Sequence, residues 1–295
     1  MKILLIYNPF AGNGSFKNHL DNILEKVQNK GFCLTLYRID SPEALENMIA
    51  TIDINSFRKI WIAGGDGTIH QVINLLIKHN SDVPIGVYPV GTANDFAYYF
   101  NFTDKIDEMT DILLQDNCTG CDIGVANGHY FLNVASLGFL IDVSQKTPVA
   151  IKRSFGVLAY YFKGVEELSK MRPVSVKIRS KEINSDEDVY FILIMNGKSA
   201  GGFKKIAPLA SMNDGLLDVY VFKSCPALEL LPLVIKVLNG EHADSPYVDY
   251  FQTAELTIDC DDFVGTDMDG ERGFDFPLKV TVEPQKLKII CRVNG

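Results

Sequence analysis

The sequence predicts an α/β fold with a mostly parallel sheet up to about residue 117, followed by a largely antiparallel β domain. In the first part, strand-like and helix-like segments alternate at the spacing of βαβ units. In the second part, the apolar segments are short and β-rich, and clusters of Gly, Asn, Asp and Pro separate them. A third observation concerns chemistry: the run Gly64-Gly65-Asp66-Gly67-Thr68 lies directly between a predicted strand and a predicted helix.

Hydrophobic periodicity defines the elements of the first part. Short apolar runs predict strands at residues 3–7, 32–38, 59–63 and 85–89. Apolar residues at helical spacing predict helices from Phe16 to Val27, over residues 42–49, and after Thr68. Because ligands of such sheets bind beyond the carboxyl ends of the strands, the loops at that edge are the first candidates for a site.

The second part contains six predicted strands and two predicted helices. The strands are expected at residues 174–178, 189–195, 217–222, 255–258, 279–282 and 288–291. The helices are expected at 155–171 and at 226–238, where a proline occupies the first turn. We therefore expect two domains, residues 1–120 and residues 121–295.

Composition and charge exclude several classes of function. The chain has 295 residues, is 47% apolar and carries a net charge of −9, which fits a soluble globular protein and argues against nonspecific nucleic-acid binding. No uncharged apolar stretch approaches the ~20 residues of a membrane span, and the apolar stretch after Met1 and Lys2 is too short for a secretory signal. The six cysteines lack the spacing of a zinc site, so we expect reduced thiols in a cytoplasmic protein.

Three predicted strands end in unusual loops. The first is followed by residues 8–15, the third by the glycine-rich run 64–68, and the fourth by residues 89–95. A glycine-rich turn that opens a helix presents backbone N–H groups suited to phosphate. Each loop alone is explained by ordinary turn formation, but three at one sheet edge favour a nucleotide site. Two known phosphate motifs fail on spacing: Lys17 stands where a dinucleotide fingerprint needs glycine, and Ile192 stands where a P-loop needs its first glycine.

These runs resemble the diacylglycerol kinase catalytic family, a group of bacterial lipid kinases related to sphingosine and ceramide kinases. The resemblance covers nearly the whole chain and is carried by Asn8-Pro9 with Gly12, Gly64–Thr68, Gly91-Thr92-Ala93-Asn94-Asp95-Phe96-Ala97, Ala200-Gly201-Gly202-Phe203, Asn213-Asp214-Gly215 and Asp269-Gly270-Glu271. It implies a Rossmann-like first domain, a β-sandwich-like second domain, an active site in the cleft between them, and a last strand that returns to the first domain.

The resemblance also implies which residues contact ATP. Ser41 stands where the family often has threonine, and Tyr98 stands where it usually has arginine. The implied nucleotide contacts are Asn8, Pro9, Phe10, Ala11, Gly12, Ser41, Gly64, Gly65, Asp66, Gly67, Thr68, Ile69, His70, Gln71 and Thr92.

Carboxylates supply the predicted catalytic chemistry. Phosphoryl transfer needs charge neutralisation and a base for the attacking hydroxyl. Asp267, Asp269 and Glu271 form a close acidic group in sequence, although Asp-Gly is also a common turn. The resemblance implies that an acid of the Asp269-Gly270-Glu271 motif accepts the proton; we favour Glu271 with Asp269 beside it, and the choice between the two acids is left open. The resemblance further implies a structural Mg²⁺ held by Asp214, with Ser211 and Leu216 contributing by position, while Asp66 and Asp95 are candidates for indirect metal contact.

A lipid kinase acts at a membrane. The aromatic segment at 152–163 predicts either a face that touches the bilayer or a helix packed against the β domain. The expected reaction converts diacylglycerol to phosphatidic acid at the inner face of the membrane, in a cytoplasmic, peripherally bound protein, and a homodimer is left open.

Other readings are retained as alternatives. The lipid could be another alcohol, such as a sphingosine-like base or phosphatidylglycerol. The chain could instead phosphorylate NAD, since Ser136–Leu140 faintly echoes such kinases, or bind nucleotide without catalysis. A remote alternative is an esterase with Ser199 as nucleophile, followed by Asp214 and His242 in triad order.

Overall fold

The computed structural model describes residues 1–138, 172–261, 264–273 and 275–292. These residues form two units: Met1–Cys121 together with Gln285–Gly295, and Asp122–Pro284. The helix predicted at 155–171 and the aromatic segment at 152–163 lie outside the described residues.

The first unit is a parallel α/β fold, as predicted. Its strands are β1 (Lys2–Tyr7), β2 (Cys33–Arg38), β3 (Lys59–Gly64) and β4 (Ile85–Pro89). Its helices are α1 (Leu20–Asn29), α2 (Pro42–Thr51), α3 (Asp66–Lys78), α4 (Asp95–Tyr99) and α5 (Ile106–Leu113), and a 3-10 turn at Phe16–His19 precedes α1.

The sheet order of the first unit brings three strand ends together. The strands lie in the order β4-β3-β1-β2, and each neighbouring pair is parallel. Helices α1 and α5 cover one face, where Trp61, Tyr88 and Phe16 are buried. Helices α2 and α3 pack together, and α3 packs on β3. The loops after β1, β3 and β4 therefore share one edge of the sheet.

The second unit is built of antiparallel strands. They are β6 (His129–Phe131), β7 (Val134–Gly138), β8 (Val174–Ser180), β9 (Asn184–Met195), β10 (Leu217–Lys223), β11 (Val248–Thr253), β12 (Glu255–Cys260), β13 (Thr266–Met268) and β14 (Glu271–Arg272). Two further strands, β5 (Cys118–Ala126) and β15 (Leu278–Ile290), begin in one unit and end in the other. Helix α6 (Ala227–Asn239) precedes a 3-10 turn at His242–Asp244.

Strand β9 organises this unit because its two halves have different partners. Residues Asn184 to Val189 pair with β8, whereas Phe191 to Met195 pair with both β7 and β10. Alternate side chains of β9 and β10 enter two separate cores. Ile192 and Ile194 join one core, and Leu193 and Met195 join the other, which α6 covers through Leu233.

Several elements differ from the prediction. The strands expected at 279–282 and 288–291 are parts of a single strand, β15, in which Gln285 has a positive φ of 49° after Pro284. The proline and the left-handed residue interrupt the apolar pattern without ending the strand. The pair Cys118 and Cys121 lies within strand β5. Short elements such as α4, β13 and β14 carry too few residues for a detectable period.

Candidate functional site

Three loops meet at the carboxyl edge of the parallel sheet, as the sequence predicted. We call them loop A (residues 8–15, after β1), loop B (64–68, after β3) and loop C (89–95, after β4). The Asn8 backbone N–H donates to the Ala63 carbonyl at 2.9 Å, and the Asn8 side-chain amide donates to the Thr68 hydroxyl at 3.1 Å. Loop A is thereby fixed against the strand that leads into loop B and against the helix that follows it.

Glycines allow the loop backbones to touch. A Cβ atom on Gly91 would lie 2.4 Å from the Gly65 Cα, so loops B and C approach at a distance that no side chain permits. A Cβ atom on Gly12 would lie 2.3 Å from the Val90 carbonyl oxygen, which brings loop A against loop C in the same way. Gly12 also has a φ of +58°, a left-handed conformation that favours glycine. The glycines are therefore required by loop packing.

Two polar side chains hold loops B and C in place. Asn94, with a left-handed φ of 53°, accepts from the Gly91 N–H at 2.8 Å and donates to the carbonyls of Pro89 and Gly91. The Asp66 carboxylate accepts from the Phe96 N–H at 3.2 Å, which ties the start of α3 to the start of α4. Asp66 thus has a structural role at this edge in addition to any role in binding.

Loop B leads directly into the N-terminus of α3. Gly65 is the residue before the first turn, and the Ile69 N–H makes the first internal bond, to the Gly65 carbonyl at 3.0 Å. The amides of the first turn have no acceptor within the helix, and the helix dipole places partial positive charge there. The Ile69 side chain is completely buried, so this residue can reach a ligand only through its backbone. His70 and Gln71 are half-buried in the same turn.

The remaining predicted nucleotide contacts lie around these loops. Pro9 is buried, whereas Phe10 is 70% exposed and lies under the Arg38 guanidinium, 5.7 Å from its ring centre. Thr92 is exposed on loop C. The Ser41 hydroxyl accepts from the Ala44 N–H at 3.1 Å and caps α2, which is a sufficient structural reason for a serine there.

The Asp269 carboxylate is anchored by backbone amides. It accepts from the N–H groups of Leu132, Asn133 and Val134 at 2.5, 2.9 and 3.0 Å. Its own N–H donates to the Val134 carbonyl, and its φ of 51° is left-handed, as a tight turn between β13 and β14 requires. Asp269 therefore fixes the hairpin that carries Glu271.

The register of the hairpin separates the predicted acidic group. Met268 pairs with Glu271, and Asp267 pairs with Arg272. Because successive side chains of a strand point to opposite faces, Asp267 and Glu271 lie on opposite faces of the hairpin. Asp267 is buried and accepts from the Gly270 N–H at 2.9 Å, whereas Glu271 is exposed. Asp267 and Glu271 therefore do not face one another, and Glu271 is the exposed acid of the hairpin.

The predicted metal residues lie in the loop before β10. The Ser211 hydroxyl is 2.7 Å from the Asn213 side-chain oxygen, and the Asp214 carboxylate accepts from the Leu216 N–H at 3.0 Å. Their hydroxyl, carboxylate and carbonyl oxygens are the ligand types that Mg²⁺ takes, with water completing its coordination. The donor set therefore fits the ion, although no group of three His, Cys, Asp or Glu side chains that could hold a metal occurs in the described part of the chain.

Asp122 secures this loop and was missed by the sequence analysis. It is completely buried, its carboxylate accepts from the Gly215 N–H at 2.7 Å, and its N–H donates to the Met212 carbonyl at 2.6 Å. The available signal was an acid inside an apolar strand, between Cys121 and Ile123. A buried carboxylate needs hydrogen-bond partners, so its position alone indicated a structural anchor.

The esterase alternative fails on local structure. Ser199 is 1% exposed, and the residues after it form a short turn closed by a bridge between Ala200 and Phe203. A nucleophile elbow requires a helix directly after the serine. His242 is completely buried against the rings of Tyr220 and Phe222, and Asp214 is exposed.

Comparison with family models assigns both parts of the chain. The diacylglycerol kinase catalytic domain matches residues 2–126. The YegS C-terminal NAD kinase beta sandwich-like domain matches residues 134–291. Among residues 1–138, 172–261, 264–273 and 275–292, no helix has both the length and the apolar content needed to cross a bilayer.

Relatives and solved structures agree with these matches. The diacylglycerol kinase of Bacillus subtilis (strain 168) is 32% identical over 270 residues, 91% of this chain and 89% of the relative. That of Staphylococcus carnosus (strain TM300) is 31% identical over 294 residues, 97% of this chain and 93% of the relative. A solved diacylglycerol kinase from Bacillus anthracis str. Sterne has a TM-score of 0.76 at 20% identity, covering 99% of this chain and 97% of its own. A second solved chain from that organism has a TM-score of 0.84 at 22% identity, covering 99% and 95%. At these identities the structural likeness shows the fold.

Proposed function

This chain belongs to the diacylglycerol kinase family, and from that premise we propose that it phosphorylates diacylglycerol to give phosphatidic acid. The chain is a lipid kinase and uses ATP. The choice of diacylglycerol is supported by the names of relatives that are about 31% identical over most of the chain. The observation that carries the proposal is the meeting of three glycine-bearing loops at the N-terminus of α3.

We propose that these loops hold the ATP phosphates. Support comes from the close approach of Gly65 to Gly91, which lines the α3 N-terminus with backbone in place of side chains. Backbone N–H groups and the helix dipole together favour a bound polyanion. Loop B carries no lysine. Charge on the phosphates must therefore be met by amides and by a cation, which is the role expected of Mg²⁺.

Glu271 is the proposed proton acceptor. The lipid hydroxyl oxygen forms a bond to the γ-phosphorus of ATP, the bond from that phosphorus to the oxygen bridging the β-phosphate breaks, and ADP leaves. The hydroxyl proton passes to the Glu271 carboxylate. This assignment is supported by the exposure of Glu271 and by the three amides that occupy Asp269. We propose that Asp269 positions the hairpin and that Glu271 performs the proton transfer.

A separate, structural Mg²⁺ is proposed at Ser211, Asp214 and Leu216. This ion would supply a fixed positive charge that stabilises the loop before β10. Asp122 supports the proposal because it holds Gly215 by a 2.7 Å hydrogen bond and so keeps the three donors in one loop conformation. Because diacylglycerol resides in a bilayer, we also propose that the chain works in peripheral contact with a membrane surface.

A substrate panel tests the proposed function. Purified chain would be incubated with labelled ATP and Mg²⁺ and, in separate reactions, with diacylglycerol, a sphingosine-like base or phosphatidylglycerol in mixed micelles, or with NAD in solution. We expect labelled phosphatidic acid as the main product. A higher kcat/KM on another lipid would overturn the assignment of diacylglycerol while retaining the lipid kinase. Turnover of NAD alone would overturn the lipid substrate itself.

A further inference from the structure

Helix α6 is apolar on two opposite faces. On its inner face, Leu233 is 7% exposed and packs with Val237 on the core beneath β9 and β10. On its outer face, four aliphatic side chains are exposed. We call them the outer stripe: Leu228 at 90%, Leu231 at 56%, Ile235 at 51% and Leu238 at 37% exposure.

The spacing of the outer stripe places its members in one line. They recur at intervals of three, four and three residues, which confines them to an arc of about 80° on an α-helix. Leu233 and Val237 lie on the opposite side of the helix. A helix that is apolar on two opposite faces normally has apolar surroundings on both of them. Helix α6 has 13 residues and is therefore ~20 Å long, too short to cross the ~30 Å core of a bilayer.

We propose that the outer stripe is the surface through which this chain contacts the bilayer that contains its substrate. The inference rests on the lipid kinase assignment, since the substrate class supplies the apolar partner. A short helix with one face anchored in the protein and the other rich in leucine can lie in the interface plane with that face among the acyl chains. The inner-face contact of Leu233 holds the helix to the β domain while the outer stripe enters the lipid.

Charge around the helix fits a lipid surface. Within the helix, Glu229 and Lys236 offset one another. At the C-terminus of the helix, Gly240 lies against Lys205: a Cβ atom placed on Gly240 would be 3.1 Å from the Lys205 Cβ. Lys205 is exposed. The exposed acids Glu241 and Asp244 follow Gly240 closely, so this end of the helix carries charges of both signs. We expect binding to zwitterionic vesicles, with little further increase on anionic ones.

A second copy of this chain is the competing occupant. The outer stripe offers a few hundred Å², the scale of a functional apolar patch. A stable protein interface buries about 800 Å² on each partner. The stripe alone is too small for that, whereas insertion into lipid requires no complementary protein surface.

Vesicle binding tests the proposal. The triple variant Leu228→Ser, Leu231→Ser and Ile235→Ser changes exposed side chains, so the fold should persist, as circular dichroism would check. Leu36→Ser is the matched control, because Leu36 is 45% exposed in the first unit. In sedimentation with phosphatidylcholine vesicles, with and without phosphatidylglycerol, we expect the triple variant to lose about tenfold or more in binding and the control to bind like the wild type.

Activity measurements separate a docking role from a catalytic one. We expect the triple variant to lose activity on vesicle-borne diacylglycerol and to keep its kcat on a dispersed short-chain diacylglycerol. Unchanged vesicle binding would overturn the proposal. So would a wild-type dimer that the triple variant converts to a monomer in analytical ultracentrifugation, because the stripe would then be an interface between copies. If the wild type phosphorylated no diacylglycerol, the proposed function would fail, and the vesicle measurement would still decide the role of the stripe.

Discussion

Two acids two residues apart, Asp269 and Glu271, have different environments. The Asp269 carboxylate accepts three amide N–H groups of the segment Leu132–Val134, whereas Glu271 is exposed on the short strand β14. A carboxylate whose oxygens are filled by amides is suited to fixing a turn. An exposed carboxylate on the rigid hairpin is suited to meeting a substrate hydroxyl. Mutagenesis can separate the two roles because they affect stability and turnover differently.

Replacing Glu271 by glutamine should remove the proposed proton acceptor while keeping the size and shape of the side chain. We expect kcat to fall by about 10²–10⁴. ATP affinity should be unchanged, since the proposed phosphate loops are formed by residues of loops A to C. The measurement is steady-state kinetics with equilibrium ATP binding. Arg272→Gln, at the adjacent exposed position, is the control and should keep most of the activity. A loss of ATP affinity as large as the loss of kcat in Glu271→Gln would contradict these separate roles of Glu271 and the phosphate loops.

Replacing Asp269 by alanine should destabilise the second unit. The N–H groups of Leu132, Asn133 and Val134, all in buried residues, would lose their acceptor, which should cost about 2 kcal/mol or more in the free energy of unfolding. Asp269→Asn keeps one acceptor oxygen and should lose less stability than Asp269→Ala. Chemical denaturation measures both.

The same pair of variants distinguishes positioning from catalysis. If Asp269 positions the hairpin, asparagine should restore most of the kcat that alanine removes. If Asp269 were the base, asparagine would reduce kcat as strongly as Glu271→Gln does, and the protein would keep its full stability.

The sequence alone allows Asp269-Gly270 to be either a turn or part of a catalytic motif. The hydrogen bonds show that the turn is formed. The amides that stabilise it belong to a segment over 130 residues away, which local sequence does not reveal.

At the scale of the elements, a buried lysine joins β3 to α5. Lys59 is 1% exposed at the start of β3, and its ammonium donates to the carbonyls of Leu113, Leu114 and Gln115 at 3.1, 2.9 and 2.6 Å. These carbonyls end helix α5 and have no helical N–H donor left. Lys59 also donates a hydrogen bond to the Asp116 carboxylate, and this bond lowers the pKa of Asp116. Lys59 therefore caps the C-terminus of a helix over 50 residues away.

Substituting Lys59 with methionine should destabilise the first unit by about 2–3 kcal/mol, because three carbonyls lose a charged donor. The measurement is thermal or denaturant unfolding. Arg58→Met is the matched control: Arg58 is exposed, its guanidinium lies 3.6 Å from the Asp116 carboxylate, and its loss should change stability by about 0.5 kcal/mol or less. A Lys59→Met variant as stable as the control would show that water satisfies these carbonyls.

Local sequence predicted the elements of the first unit more fully than those of the second. Strands β1, β3 and β4 are buried apolar runs, and each is followed by a turn signal, so their positions and the shared edge of loops A to C could be predicted. Helix α4 has five residues and depends on the left-handed Asn94 and on the Asp66 contact, which no periodicity reveals. Strand β15 was predicted as two because Pro284 normally ends a strand, yet Gln285 absorbs the bend in a left-handed conformation.

At the scale of the whole molecule, the order of the antiparallel strands escaped prediction. Strand β9 contacts β7, β8 and β10, and β13 pairs with β7 from a segment over 120 residues later. Such pairings depend on long-range packing, whereas βαβ units fix their neighbours locally. The role of Asp122 was missed for the same reason, because its partner Gly215 is 93 residues away.

A buried histidine links the stability of the folded chain to pH. His242 is completely buried in the turn after α6, with its ring 4.9 Å from that of Tyr220 and 5.7 Å from that of Phe222. Burial lowers the pKa of the His242 imidazole below its ordinary value of about 6.5. Asp218 acts in the opposite sense, since burial raises the pKa of its carboxyl group. The pH dependence of wild-type stability is therefore the sum of opposing contributions, and a variant is needed to isolate the contribution of His242.

We expect His242→Gln to reduce the loss of stability on acidification. The unfolded chain takes up a proton on His242 near pH 6.5, while the folded chain resists it until the pH falls further. Stability from the neutral imidazole is therefore complete above about pH 7.5 and is lost as the pH falls below 6.5 toward the lowered pKa. Unfolding free energies at pH 7.5 and 5.5 measure the difference, which should be smaller in His242→Gln than in the wild type. His129→Gln, at an exposed histidine, is the control and should behave like the wild type. Equal differences in all three proteins would show that His242 is not the group that senses pH, and that the core beneath α6 tolerates the charged ring.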